Sequence, residues 1–82
     1  MKLPRNVDGI LLIKLLKKLN YTIVRQKGSH ICLSNDKEPP HHITIPNHNP
    51  IKIGTLSAIL SDIATNNNLD KNKLIDLLFS NY

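Results

Sequence analysis

The spacing of apolar residues changes twice along this chain, and those changes restrict its fold more than any other feature. Leu12, Leu15, Leu16 and Leu19 recur at i, i+3, i+4 and i+7, the spacing of one helix face. Tyr21 to Gln26, Ser29 to Leu33 and His41 to Ile45 are instead short runs rich in β-branched residues, as strands are. Leu56, Ile59, Leu60 and Ile63 then return to the helical spacing. Helix, strands and helix must share one core. The pattern therefore predicts an α+β fold, helix–three-stranded antiparallel sheet–helix with a further short helix, the helices on one sheet face.

Local signals set the expected boundaries. Pro4 keeps the lead-in from Met1 to Val7 extended, and Asp8 is a natural N-cap for a first helix running to about Leu19. Lys14, Lys17 and Lys18 gather on the side away from its leucines, and Asn20 suits the left-handed conformation that ends helices. Lys27-Gly28 reads as a hairpin loop, which pairs Gln26 with Ser29 and sets Arg25 opposite His30. A glycine bulge at Gly28 shifts that pairing but leaves the alternation intact. Ser34 to Pro40 is turn chemistry, and Asn47 to Ile53 an irregular connector. Thr55 is the expected cap of a second helix, which Asn66-Asn67-Asn68 breaks. Asp70 caps a last one, with Leu69 and Leu74 as a hydrophobic staple. Leu74, Ile75, Leu77, Leu78 and Phe79 form its apolar side.

Strand alternation then divides the sheet residues. Val24, Ile31, Leu33, Ile43 and Ile45 belong to the core side, and Arg25, His30, Cys32, His42 and Thr44 to the other. With 82 residues, no repeat and no linker, a single domain over 1–82 is expected. The formal net charge of +5 favours polyanionic partners, because cations that neutralise phosphates release bound counterions. Tyr21, Phe79 and Tyr82 are the only aromatic residues, so the stacking platforms of a general single-strand binder are missing. Cys32 is the only cysteine, which rules out an intrachain disulfide. No segment reads as a secretion signal or as the roughly 20 apolar residues of a membrane span, so a cytoplasmic location and no membrane partner are expected.

His30 is the residue whose surroundings invite chemistry. It follows Gly28 and Ser29, with Arg25 and Lys27 nearby. A glycine turn lets backbone approach a phosphate, an imidazole can exchange protons with a ribose hydroxyl or a leaving oxygen, and cations stabilise charge developing on phosphorus. On spacing alone, a solvent-facing histidine after an ordinary hairpin is the stronger reading. His41, His42 and His48 suggest a metal, but adjacent strand residues point to opposite faces and no closed ligand set with Cys32 can be assembled, so neither metal nor cofactor is expected. His42 remains a minor candidate for a second acid–base group. The carboxylates are scattered, and Ser29/His30 has no acid partner for a hydrolase triad.

Taken in order, Lys2-Leu3-Pro4-Arg5, Leu12 to Leu19, Val24-Arg25-Gln26-Lys27-Gly28-Ser29-His30, Ile43-Thr44-Ile45-Pro46-Asn47-His48 and Ile53 to Leu60 resemble the HicA (YcfA-like) family of toxins from toxin–antitoxin modules. The resemblance covers about residues 2 to 65. It departs at Asn20, where the family usually has glycine, and at Asn66 to Asn68, which replace a short Ala-Gly-type break. It implies a fold like the double-stranded-RNA-binding domain, an mRNA-cleaving activity and a HicB antitoxin that masks the site. His30 takes the family's catalytic position, with Gly28 and Ser29 completing the motif. The chemistry so implied is metal-independent attack by the ribose 2′-OH, which restricts it to RNA. Arg25 and Lys27 would hold phosphate, and Lys14, Lys17 and Lys18 would attract the RNA backbone. A non-catalytic RNA-binding module of the same fold, or a protein-interaction domain gripping an acidic partner, are the competing readings.

Overall fold

Asp8 starts the first helix as its short acceptor side chain dictates: Oδ1 takes a hydrogen bond from the Leu11 amide at 2.7 Å. The computed structural model describes residues 3–80; Met1 and Lys2 of the expected lead-in, and Tyr82, lie outside them. Helix α1 spans Gly9–Leu16 and tightens into a 3₁₀ turn at Lys17–Leu19, which Asn20 ends with φ at 64°. Gly9, Leu12, Ile13 and Leu16 are its buried residues. The expected face is thus rotated: Leu15 and Leu19 are only partly buried and Ile13 takes their place. The reason is Gly9, whose lack of a side chain lets that flank of the helix come closest to the sheet.

Strands β1 (Thr22–Lys27), β2 (His30–Ser34) and β3 (His42–Pro46) form an antiparallel sheet in the order β1-β2-β3. The loop between β1 and β2 is Gly28-Ser29, not Lys27-Gly28, so Lys27 faces His30 and Arg25 faces Cys32. Glycine sits at the first of two loop positions, where type II′ hairpin turns take it. The register slips again between Ile23 and Arg25, where Val24 is the extra residue; the bulge lies there and not at Gly28. Val24 consequently leaves the core side to which simple alternation assigns it and is 56% exposed.

Helix α2 (Ile53–Asn66) begins one turn earlier than Thr55 as a cap allows. Lys52 precedes it without a side-chain cap, and Leu56 N closes the first turn onto Lys52 O at 2.9 Å. Its buried residues include the expected Leu56, Ile59, Leu60 and Ile63. Asn67 and Asn68 then break it, and Asp70 caps helix α3 (Lys71–Phe79) by accepting from Lys73 N at 3.4 Å. Leu74, Ile75, Leu78 and Phe79 pack inward while Leu77 stays exposed. Together with Ile31, Leu33, Ile43 and Ile45 these residues form one core between helices and sheet. That is the helix-sheet-helix arrangement the spacing predicts, and it is consistent with the double-stranded-RNA-binding-domain-like fold that the family resemblance implies, with β1 beyond the cover of the helices and exposed along its length.

Two contacts hold the layers in register. At Gly9, a Cβ would lie 2.5 Å from Pro46 O and 2.9 Å from Asn47 Cα, so helix and strand end meet backbone to backbone. At the other end of the core, the buried Tyr21 hydroxyl is hydrogen-bonded to His41 Nδ1 at 2.7 Å and accepts from Asn67 Nδ2 at 3.1 Å, while His41 Nε2 lies 3.3 Å from Asp62 Oδ2. This chain ties β1's start to β3's start and to α2. Burial pushes the Tyr21 phenol above 10.0 and the Asp62 charge adds to the shift, against hydrogen bonds with Asn67 and Asn35.

These contacts give two expected outcomes. Gly9→Ala should lower stability by about 1–3 kcal/mol, the cost of forcing a methyl into closed packing, although helix propensity alone favours alanine by about 1 kcal/mol. Denaturant midpoints decide the sign. Because the folded protein holds the Tyr21 proton more tightly than the unfolded chain, stability should be intact below pH ~10 and fall as pH rises through the elevated folded value. Tyr21→Phe should flatten that fall in alkaline unfolding curves.

Candidate nucleic-acid-processing site

The β1–β2 hairpin presents the polar residues that strand alternation expects on the uncovered face. Gly28 takes φ of 58°, and a Cβ there would meet nothing, so glycine is needed for backbone conformation alone. Ser29 O accepts from Asn47 N at 2.7 Å, which anchors the loop to the chain leaving β3. His30 therefore stands at the first position of β2 with Lys27 directly across, and cross-strand partners share a face. A cleft of about 630 Å³ unites His30 and Lys27 with Arg25, Cys32 and Thr44. Two cations and an imidazole around one open cleft can hold a phosphodiester and exchange a proton with it.

His30 also lines a second cleft, of about 370 Å³, on its other side. Thr44, His48, Lys52 and Thr55 are among the residues facing it. Sequence spacing considered His48 only as a metal ligand and passed over Lys52. The signal was available in the alternation Thr44, Pro46, His48, which carries one face of β3 two residues past its end. Among the described residues, no group of three or more His, Cys, Asp or Glu side chains is placed to hold a metal ion.

The other candidates lie elsewhere. His41 is held by Tyr21 and Asp62, so it is a structural link between layers. His42 is exposed beside Val24 and Arg25, but it pairs with Ser34 at the far end of β2 from His30. Lys14 and Lys17 are exposed on the helical side of the molecule and line neither cleft. Lys18 has a different occupation: its ammonium donates to Leu77 O at 3.1 Å and to Leu78 O at 3.5 Å, carbonyls in the last turn of α3. The three lysines are not brought to His30.

The family model described as HicA toxin of bacterial toxin-antitoxin matches residues 12–64. The chain belongs to the HicA toxin family. No curated protein and no solved structure gives a significant match to it. The matched span runs from α1 through the sheet into α2 and so contains His30, both clefts and the connector between β3 and α2; α3 lies outside it. Membership in this toxin–antitoxin family implies an antitoxin as partner. No helix among the described residues is long and apolar enough to cross a membrane.

In this HicA-family chain, Lys18 joins α3 to the matched region by a cation at a helix C-terminus, an interaction worth about 0.3–1 kcal/mol. Lys18→Ala should therefore lower the thermal midpoint measurably, whereas Lys14→Ala should leave it unchanged within error. Equal effects in differential scanning calorimetry would remove the structural role of Lys18.

Proposed function

We propose that this protein is the toxin of a type II toxin–antitoxin module and acts as a metal-independent endoribonuclease on mRNA, with His30 as catalytic acid or base. The single observation that carries the reading is the cleft uniting His30, Lys27 and Arg25 on the sheet face opposite the helices. An RNA phosphate held by Lys27 and Arg25 comes within reach of the imidazole, with the Gly28-Ser29 turn leaving its approach open. The 2′-OH attacks the neighbouring phosphorus, which is why the substrate is RNA and not DNA. The remaining positive charge, Lys14 and Lys17 included, adds salt-dependent attraction for the backbone. Residues 1–82 act here as one domain, in the cytoplasm where mRNA is found. A HicB-type antitoxin restrains the enzyme by covering the face that carries His30.

His30 is exposed and outside the core, so its replacement tests chemistry without threatening the fold. His30→Ala should reduce cleavage of an RNA oligonucleotide by about 10²–10⁴-fold, the usual contribution of a general acid or base. Induced expression of this variant should no longer arrest growth, and its circular dichroism spectrum should match the wild type. A folded His30→Ala protein that cleaves RNA normally would contradict the proposal. One that merely binds RNA, from a wild type that never cleaves, would point to a non-catalytic RNA-binding module.

A further inference from the structure

We propose that His48 supplies the second proton transfer of the reaction, with Lys52 on the phosphate between the two histidines; this rests on the nuclease reading above. His30 pairs with Pro46 across β2 and β3. Continuing the alternation of β3 by two residues brings His48 to the same side of the sheet. The backbone enforces the approach. Asn47 N donates to Ser29 O at 2.7 Å, and these two residues immediately precede the two histidines. On the far side, Gly9 N donates to His48 O at 3.1 Å and Ile51 N to Val7 O at 2.8 Å, so the segment carrying His48 is pinned at three points. Both histidines line the cleft of about 370 Å³, together with Lys52.

The remaining histidines are excluded by position. His41 already bridges Tyr21 and Asp62. His42 lies four residues before Pro46, roughly 13 Å away along the strand at 3.3 Å per residue. His48 is the one that shares a cleft with His30.

The chemistry divides between the two rings. One neutral imidazole takes the 2′-OH proton as the 2′ oxygen bonds to phosphorus. The bond from phosphorus to the 5′ oxygen breaks, and the other ring, protonated, gives its proton to that oxygen. The products are a 2′,3′-cyclic phosphate and a 5′-hydroxyl end, with one proton taken up and one released by the pair. The Lys52 ammonium offsets the charge that gathers on the non-bridging oxygens.

Single-turnover cleavage of an RNA oligonucleotide by wild type, His30→Ala, His48→Ala and Lys52→Gln tests this across the range where imidazole titrates. The same proteins are then given an RNA whose 5′-bridging oxygen is replaced by sulfur, a leaving group that needs no proton. His48→Ala should lose about 10²–10⁴-fold on normal RNA and one limb of the two-limbed pH profile. On the sulfur substrate, whichever of the two histidine variants lacks the acid should recover most of its rate while the other stays slow. Lys52→Gln should slow cleavage and keep both limbs. A His48→Ala enzyme at wild-type rate, both limbs retained, or no recovery by either variant would overturn the proposal, and an unaltered Lys52→Gln rate would remove Lys52 from it. If His30→Ala is also fully active, the catalytic role proposed for His30 fails, and a wild type that never cleaves defeats the nuclease reading itself; an inert His30→Ala beside a fully active His48→Ala defeats the role of His48 alone.

Discussion

The first turn of α1 rests on the end of β3 with no side chain between them, and the geometry of the whole uncovered face follows from that contact. Pro46 and Asn47 can approach Gly9 only because it lacks a Cβ. Once there, the Gly9 amide, one of the donors a helix start leaves unpaired, is used by His48 O. Asn47 is then free to reach the Ser29 carbonyl, and the hairpin loop is fixed against the connector. A substituent at Gly9 would lift the helix from this segment and loosen the loop on the far side of the sheet. Backbone packing on the helical side thus positions polar groups on the opposite side.

The sheet separates two jobs. Ile31, Leu33, Ile43 and Ile45 send their side chains under the helices, where α1, α2 and α3 complete the core. The alternate residues of the same strands, His30, Cys32 and Thr44, line the uncovered clefts with Arg25 and Lys27. A small chain has little core to spare, and here Ile51 is the core residue that also borders a cleft, the second one beside His30. The Tyr21, His41, Asp62 and Asn67 chain serves the first job, tying layers together well away from the clefts.

Much of this was legible in residue order, and the exceptions have physical causes. The helix faces of α2 and α3, the caps at Asp8 and Asp70 and the helix-ending Asn20 follow from spacing and local hydrogen bonding. Strands β2 and β3 are readable because one face of each is buried, which makes alternation visible. Strand β1 is exposed on both faces, so neither its bulge at Val24 nor its register has a hydrophobic signature. The pairing of Lys27 with His30 depends on which two residues turn, and Lys27-Gly28 and Gly28-Ser29 are both plausible turn chemistry. Arg25 keeps its face in either case, because the two registers differ by two residues. The alternation Thr44, Pro46, His48 marks the side of the sheet that His48 takes, but the connector that holds it there is ordered by backbone bonds to Val7, Gly9 and Ser29, contacts that no local pattern encodes.

The bulge at Val24 bears on how copies of this molecule treat one another. An uncovered outer strand carrying Ile23 and Val24 is a template on which a second molecule can extend the sheet. The extra residue interrupts the row of free amides and carbonyls midway, so a docking strand cannot keep step along its length. Arg25 and Lys27 stand on the same strand and repel their counterparts in another copy. That repulsion has a range of about 10 Å at 0.1 M salt and shortens as salt is added. Concentrated samples should accordingly remain dispersed best in dilute electrolyte, with the bulge as the safeguard that ionic strength does not weaken.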